Sequence, residues 1–171
     1  MTRWWQFLLA ILLGLVIASS AIVALAAAII YPNLPSLESL KDYQPKQPLR
    51  IFTEDGALIG EFGEERRAVV KLKDTPKSLS QAILAAEDER FYSHGGVDTL
   101  GVLRAAISNL TSGGAKEGAS TITMQVARNF FLTSEKTFKR KINEALLAIK
   151  IEHALSKDEI LELYINHIFL G

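Results

Sequence analysis

Residues 79–94 read LSQAILAAEDERFYSH, and the helical period of this stretch sets the reading of the whole chain. Leu79, Ala82, Ile83 and Ala86 recur at three- and four-residue spacing, the pattern of one helix face. Glu87 follows Ile83 by four residues, so it continues the apolar stripe instead of turning to water. The stripe predicts a helix ending at an acidic pair, Glu87-Asp88, with Phe91 and His94 just beyond it. A carboxylate held partly out of water has a raised pKa and suits a general base. Asp88 lies ~100° round the helix and need not share that environment. The plainer alternative is a solvated helix end whose acids pair with Arg90. His94 precedes Gly95-Gly96 and reads as a structural histidine at a turn, where a glycine takes the left-handed conformation. No second histidine stands at metal-ligand spacing.

Downstream the helical period continues. Asp98 is placed to cap a helix with Leu100, Leu103, Ile107 and Leu110 on one face. Thr111 to Gly118 reads as a glycine-rich mobile loop, and Ser120 as the start of the next helix. Phe138, Ile142, Ala145 and Ile149 mark a long helix. Ser156-Lys157-Asp158-Glu159 fits a capping box, and Ile160, Leu161, Tyr164 and Ile168 stripe the helix it opens.

Upstream the pattern changes. Asp55-Gly56 stands between the apolar pairs Ile51-Phe52 and Leu58-Ile59, a hairpin signal. Ala68 to Leu72 offers a third short strand. Four of the five prolines fall in residues 31–50, an extended linker. Phe7 to Ile30 carries no charge and no proline, enough at ~1.5 Å per residue to cross a ~30 Å bilayer core. Trp4, Trp5 and Tyr31 flank it as interface anchors. Arg3 precedes it and Glu38 is the first charge after it, which predicts a cytoplasmic N-terminus and an outward-facing remainder. Ala24-Leu25-Ala26 would suit signal cleavage, but the apolar run continues past it. The expected organisation is therefore a tail (1–6), an anchor (7–30), a linker (31–50), a small β region (51–75) and a helical domain (76–171).

The chain has 171 residues, no formal net charge and no cysteine. Disulfide frameworks and thiolate metal sites are thereby excluded. Thr121, Gln125 and Arg128 fall at i, i+4 and i+7, one polar stripe suited to a sugar and a phosphate. Unpaired amides at the start of that helix would add an anion site. Arg128, Lys136, Lys139, Arg140 and Lys141 stand against one acid, Glu135. Glu144 follows Arg140 by four residues, either as an ordinary ion pair or as a second acid beside a basic pyrophosphate pocket. The patch is small and without a nucleic-acid motif, so no nucleic-acid partner is expected.

Four blocks, EDERFYSHGGVD from Glu87, GASTITMQVARNFFL from Gly118, RKINEALLAIKIE from Arg140 and KDEILELYINHIFLG from Lys157, resemble in order the membrane-bound peptidoglycan glycosyltransferases. The resemblance covers Glu87 to Gly171. With the anchor, the linker and the RIFTEDGALIGEFGEERR stretch, it looks most similar to class A (bifunctional) penicillin-binding proteins of the 1A type. It implies a mainly α (α+β), lysozyme-like helical lobe and lipid II as substrate, with a growing glycan strand and membrane lipids around it. Other cell-wall synthesis proteins are implied as partners, and the bacterial inner membrane as location. By resemblance, Glu87 matches the general base and Glu144 the second acid. Ser120, Thr121, Gln125, Arg128 and Lys136 match substrate and pyrophosphate contacts, while Asp88, Phe91, His94 and Arg140 support the motifs. Mg2+ or Mn2+ is implied at the pyrophosphate, with no protein metal site.

Two positions depart from the family pattern: Met124 stands where tandem glutamines are usual, and Arg128 where lysine is common. The family's domain continues beyond the point matching Gly171, and a transpeptidase domain would follow it, so the chain reads as a fragment. The alternatives are a monofunctional glycosyltransferase, a lysozyme-like lytic enzyme and an inactive membrane scaffold. Arg128, Lys136 and the anchor favour synthesis over lysis.

Overall fold

The computed structural model describes residues 4–41, 49–63, 69–114, 118–133 and 137–167. The architecture is mainly helical, with one two-stranded antiparallel sheet. Residues 1–35 and 36–171 form two separate compact units.

The first unit is α1 (Trp4–Ile30) and a 3-10 turn at Tyr31–Asn33. The helix already includes Trp4, Trp5 and Gln6, upstream of the expected start at Phe7. Its 27 residues lie within an apolar span, Trp4 to Asn33, long and apolar enough to cross a membrane. Pro32 opens the 3-10 turn, where its missing N–H costs nothing.

In the second unit, the segment expected as extended linker holds one short helix, α2 (Glu38–Lys41), before the sheet. Strands β1 (Leu49–Phe52) and β2 (Leu58–Phe62) pair antiparallel, Leu49 opposite Phe62. Asp55-Gly56 makes the turn as its sequence predicts: Gly56 sits at φ +86, a conformation L side chains rarely adopt. Over the described residues 69–72 the expected third strand does not form. Val70 instead donates its N–H to Asn166 Oδ1 (2.9 Å) and accepts from Asn166 Nδ2 (2.8 Å). The adjacent Leu72 N–H goes to Glu162 Oε2 at 2.8 Å. Side chains of a helix thus take the hydrogen bonds a neighbouring strand would have taken. Ala68 lies outside the described residues.

The helices are α3 (Lys77–Glu87), α4 (Thr99–Ser112), α5 (Ile122–Phe131), α6 (Phe138–Ala154) and α7 (Lys157–His167). α5 is the central element, packed on both α6 and α7. Ile122, Thr123, Met124, Val126 and Ala127 are all buried, the mark of a helix enclosed on most sides. Leu147, Ala148 and Ile151 of α6 and Ile160 and Leu161 of α7 complete the core with Phe91. Each large apolar side chain there contributes ~1.5–3 kcal/mol by leaving water. The capping box holds: Ser156 N–H donates to Glu159 Oε2 at 2.7 Å, and Glu159 N–H reaches Ser156 Oγ at 3.4 Å.

Three helix faces differ from the sequence reading. On α3 only Ile83 of the expected stripe is buried, and Ala82 and Ala86 are exposed. On α6 the expected stripe starts with Phe138, which is 92% exposed, and Ile142 is also exposed. The buried face is Glu144, Leu147, Ala148 and Ile151. On α4, Leu100, Leu103, Ile107 and Leu110 are exposed, and the buried positions are the small Gly101 and Ala105. α4 also runs through Thr111 and Ser112, which the sequence assigns to a loop, and stops at Gly113 in the left-handed conformation. Residues 115–117 and Ile168 are outside the described residues.

Candidate active site

Asp88 holds the site together. It ends α3, its N–H bonded to Leu84 O, and its carboxylate turns inward. Both carboxylate oxygens lie 3.0 Å from His94 Nε2. Oδ2 also accepts from the N–H of Ile122 at 3.1 Å, at the first residue of α5. The partial positive charge at this helix start is thus met by a buried carboxylate of the protein itself. Thr121 caps the same helix. Its hydroxyl accepts from Met124 N–H at 3.1 Å and donates to Gly96 O at 2.6 Å. Gly96 has φ +89, and a Cβ there would lie 2.8 Å from the carbonyl of Ala148. Only glycine lets the 94–97 loop lie this close to the α6 backbone.

Glu87 lies outside this knot. It is exposed, which corrects the expectation of a desolvated carboxylate. The helix ends at this residue, so no following turn covers it. Gln125 Nε2 donates to Glu87 Oε2 at 2.8 Å, and Tyr164 Oη lies 3.5 Å from Gln125 Oε1. Burial, and then the negative charge of Glu87, push the Tyr164 hydroxyl above the ordinary tyrosine pKa, while Arg128 opposes the shift. A cleft of about 180 Å3 opens beside Glu87, lined by Glu89, Arg90, Arg104 and residues 118–121 among others. Arg90 pairs with Asp98, Nε to Oδ2 at 3.1 Å, and not with the helix-end acids. The Asp98 carboxyl is held below the usual carboxylate range, chiefly by that bond, and it also caps α4 through Gly101 N–H.

Glu144 is 1% exposed. Its carboxylate is bonded by Arg140 Nη1 and, at 3.0 Å, by Lys141 Nζ. Lys141 Nζ also donates to Ser120 Oγ at 2.7 Å, joining the start of α6 to the segment before α5.

The family profile described as Transglycosylase matches residues 55–171. The chain belongs to that family. It is similar to penicillin-binding protein 1A of Neisseria cinerea, 58% identical over 94% of this chain, and of Neisseria gonorrhoeae, 58% identical over 92%. Penicillin-binding protein 1A of Pseudomonas aeruginosa is 49% identical over 98% of this chain. The chain spans 20% of the length of each of these relatives.

Within this transglycosylase lobe the expected site residues take up distinct environments. Glu87 and Gln125 meet directly, and Arg128 lies on the same helix, half-buried, close enough for its charge to act on Tyr164. Asp88, His94 and Phe91 are internal supports, Phe91 fully buried beneath Lys157 Nζ at 4.3 Å from its ring centroid. Thr121 lines the cleft and Glu144 lies buried, and both hydroxyl and carboxylate have partners within the protein. The hydroxyl of Thr121 is used as a cap, and Glu144 is enclosed between two cations. The unpaired amides expected at the start of α5 are likewise occupied, by Asp88 and Thr121. Ser120 and Arg140 are half-buried and engaged with Lys141 and Glu144. Lys136 lies outside the described residues.

Sequence reasoning passed over two residues. Lys141 was legible as the i+3 partner of Glu144, but Arg140 at i+4 claimed that role first. Tyr164 reads as core because its ring fits the apolar stripe of α7, although a buried tyrosine hydroxyl still needs a partner.

Proposed function

We propose that this chain is the glycan-polymerising part of a class A penicillin-binding protein, which joins lipid II into β-1,4 glycan strands. The observation that carries the reading is the sorting of three acids. Glu87 is exposed beside a cleft and, among the described residues, is bonded by one neutral amide. Asp88 and Glu144 are buried and fully engaged.

In this reading Glu87 accepts the proton of the acceptor sugar's 4-hydroxyl. The oxygen attacks C1 of the donor sugar from the face opposite the leaving group. The C1–O bond breaks with inversion, and its electron pair departs on undecaprenyl pyrophosphate. Arg128, with Lys136, stabilises the phosphate charge, a guanidinium gripping phosphate bidentately. Mg2+ or Mn2+, if bound with the substrate pyrophosphate, would add to the neutralisation of its charge. Glu144 acts by fixing Arg140 and Lys141 next to Ser120. α1 anchors the lobe in the bacterial inner membrane, with the N-terminus cytoplasmic and the catalytic lobe periplasmic. The parent protein carries a DD-transpeptidase and works with other cell-wall synthesis proteins.

The test is lipid II polymerisation followed on gels, using the parent protein with Glu87→Gln. Loss of polymer of at least 100-fold, with unchanged folding and membrane insertion, is expected for loss of a general base at ~10²–10⁴-fold. Normal glycan strands from that variant would refute the assignment.

A further inference from the structure

Tyr164 stands at the far end of a relay that closes on Glu87. Its ring is 4% exposed, fixed on α7 beside the buried Ile160, Leu161 and Ile165. Its hydroxyl faces Gln125 Oε1 at 3.5 Å, and Gln125 Nε2 donates to Glu87 Oε2 at 2.8 Å. A carboxylate offers only acceptors, so it selects the Nε2 end of the amide. The Oε1 end then points the other way and needs a donor. The tyrosine O–H is the donor at that position.

We propose that Tyr164 is a positioning residue: it pins the far end of the Gln125 amide and thereby fixes the carboxylate of Glu87. Glu87 sits on an exposed helix end, where a flexible side chain loses rotamer freedom only if something holds it. Gln125 alone would be a poor anchor, since its own side chain is only half-buried and would swing with Glu87. Tyr164 has no such freedom, because its ring is locked in the core. The relay therefore transmits the rigidity of the α5–α7 packing to an exposed carboxylate. Burial, and then the nearby charge of Glu87, raise the Tyr164 hydroxyl above its ordinary pKa. Calling the fixed group a base rests on the proposed glycosyltransfer, but the relay itself does not.

The test uses the whole chain in detergent micelles with 15N-labelled glutamine. The Gln125 side-chain amide is assigned by its loss in Gln125→Leu. Tyr164→Phe keeps the ring and removes only the O–H. It is expected to speed solvent exchange of the Gln125 Nε2 protons about fivefold, the worth of one hydrogen bond, and Glu87→Gln should do the same. Wild-type exchange in Tyr164→Phe, with faster exchange in Glu87→Gln, overturns the proposal. Should Tyr164→Phe not fold, the 13Cζ titration of Tyr164 in the Glu87→Gln chain decides. A lowered Tyr164 midpoint supports the coupling, and an unmoved one overturns it. In a lipid II assay of the parent protein, Tyr164→Phe should lower kcat about tenfold with KM within about twofold, as misplacement of a reacting group does. A raised KM with unchanged kcat overturns positioning. If glycosyltransfer were the wrong reading, no wild-type turnover would be seen, while the amide-exchange arm would still stand or fall by itself.

Discussion

Replacing Asp88 tests whether the inward carboxylate, and not the packing around it, ties α3 to α5. In Asp88→Ala, His94 Nε2 and the Ile122 N–H lose the bonds now at 3.0 and 3.1 Å. Each buried polar group left without a partner costs ~1–3 kcal/mol. Loss of the negative charge at the α5 N-terminus adds ~0.3–1 kcal/mol. The expected destabilisation is therefore about 4 kcal/mol, or about 10 °C in thermal midpoint for a chain of this size. Asp88→Asn separates hydrogen bonding from charge. With its Oδ1 in the place of Asp88 Oδ2, asparagine accepts from both the Ile122 N–H and the His94 Nε2–H and should cost only about 1–2 kcal/mol, the gap between charged and neutral hydrogen bonds. Urea unfolding followed by circular dichroism at 222 nm measures both variants, α1 in its micelle supplying a constant baseline. An alanine variant within about 1 kcal/mol of the wild type, or an asparagine variant as damaged as alanine, would refute the reasoning.

Three further substitutions probe the frame around the site. Gly96→Ala should destabilise by about 3 kcal/mol, combining left-handed backbone strain with a methyl forced against the Ala148 carbonyl; a urea midpoint unchanged from wild type would contradict the close approach. Asn166→Ala should expose the Val70 amide, raising its hydrogen-exchange rate roughly fivefold for the loss of a hydrogen bond, and an unmoved rate would show that the clamp is not what protects it. Asp98→Asn keeps the cap and removes the charge. The Asp98 carboxyl is depressed in the folded state by Arg90, so its stabilisation is present above the unfolded value of ~3.9 and is lost as pH falls through the folded value. The wild type should therefore lose stability more steeply than Asp98→Asn below about pH 4; parallel acid limbs would show that Arg90 contributes nothing through this group.

The elements were legible in the sequence where local chemistry alone decides them. The Asp55-Gly56 turn, the Asp98 cap and the Ser156–Glu159 box each depend on residues within a few positions of one another. Helix faces were legible only in part. Periodicity reports that α4 and α6 each carry an apolar stripe, but not which side meets a neighbour. On α6 the loop from α3 approaches so closely that Gly96 meets the backbone at Ala148, which helps set the buried face, while Phe138 stays exposed. The strand expected near Val70 failed for a similar reason: its partner is a side chain nearly a hundred residues away, and no local pattern announces it.

The site shows the same division more sharply. Glu87 and Gln125 were both picked out, but as separate features, the one on an apolar stripe and the other on a polar one. Only the fold shows that they share a hydrogen bond. The sequence argument for Glu87 rested on burial, and burial belongs to Asp88 instead. A helix that ends at Glu87 lets the next residue leave the helical register, so the ~100° step used to set Asp88 aside no longer applies. Asp88 turns into the core, where its charge is met by a helix start and a histidine. Glu87 stays in water at the mouth of the cleft. For a group that must meet an incoming hydroxyl this is the productive arrangement, because a fully enclosed carboxylate is inaccessible to it. The same reasoning separates Glu87 from Glu144: both are glutamates in matched blocks, and only the exposed one has room for a reacting atom. Under the proposed glycosyltransfer, Glu144 acts through Arg140 and Lys141, so Glu144→Gln should disturb Lys141 and Ser120 before it disturbs any proton transfer. Measured on the parent protein, this predicts a raised KM for the donor with a smaller change in kcat. A pure loss of kcat, with KM unchanged, would return Glu144 to the chemistry itself.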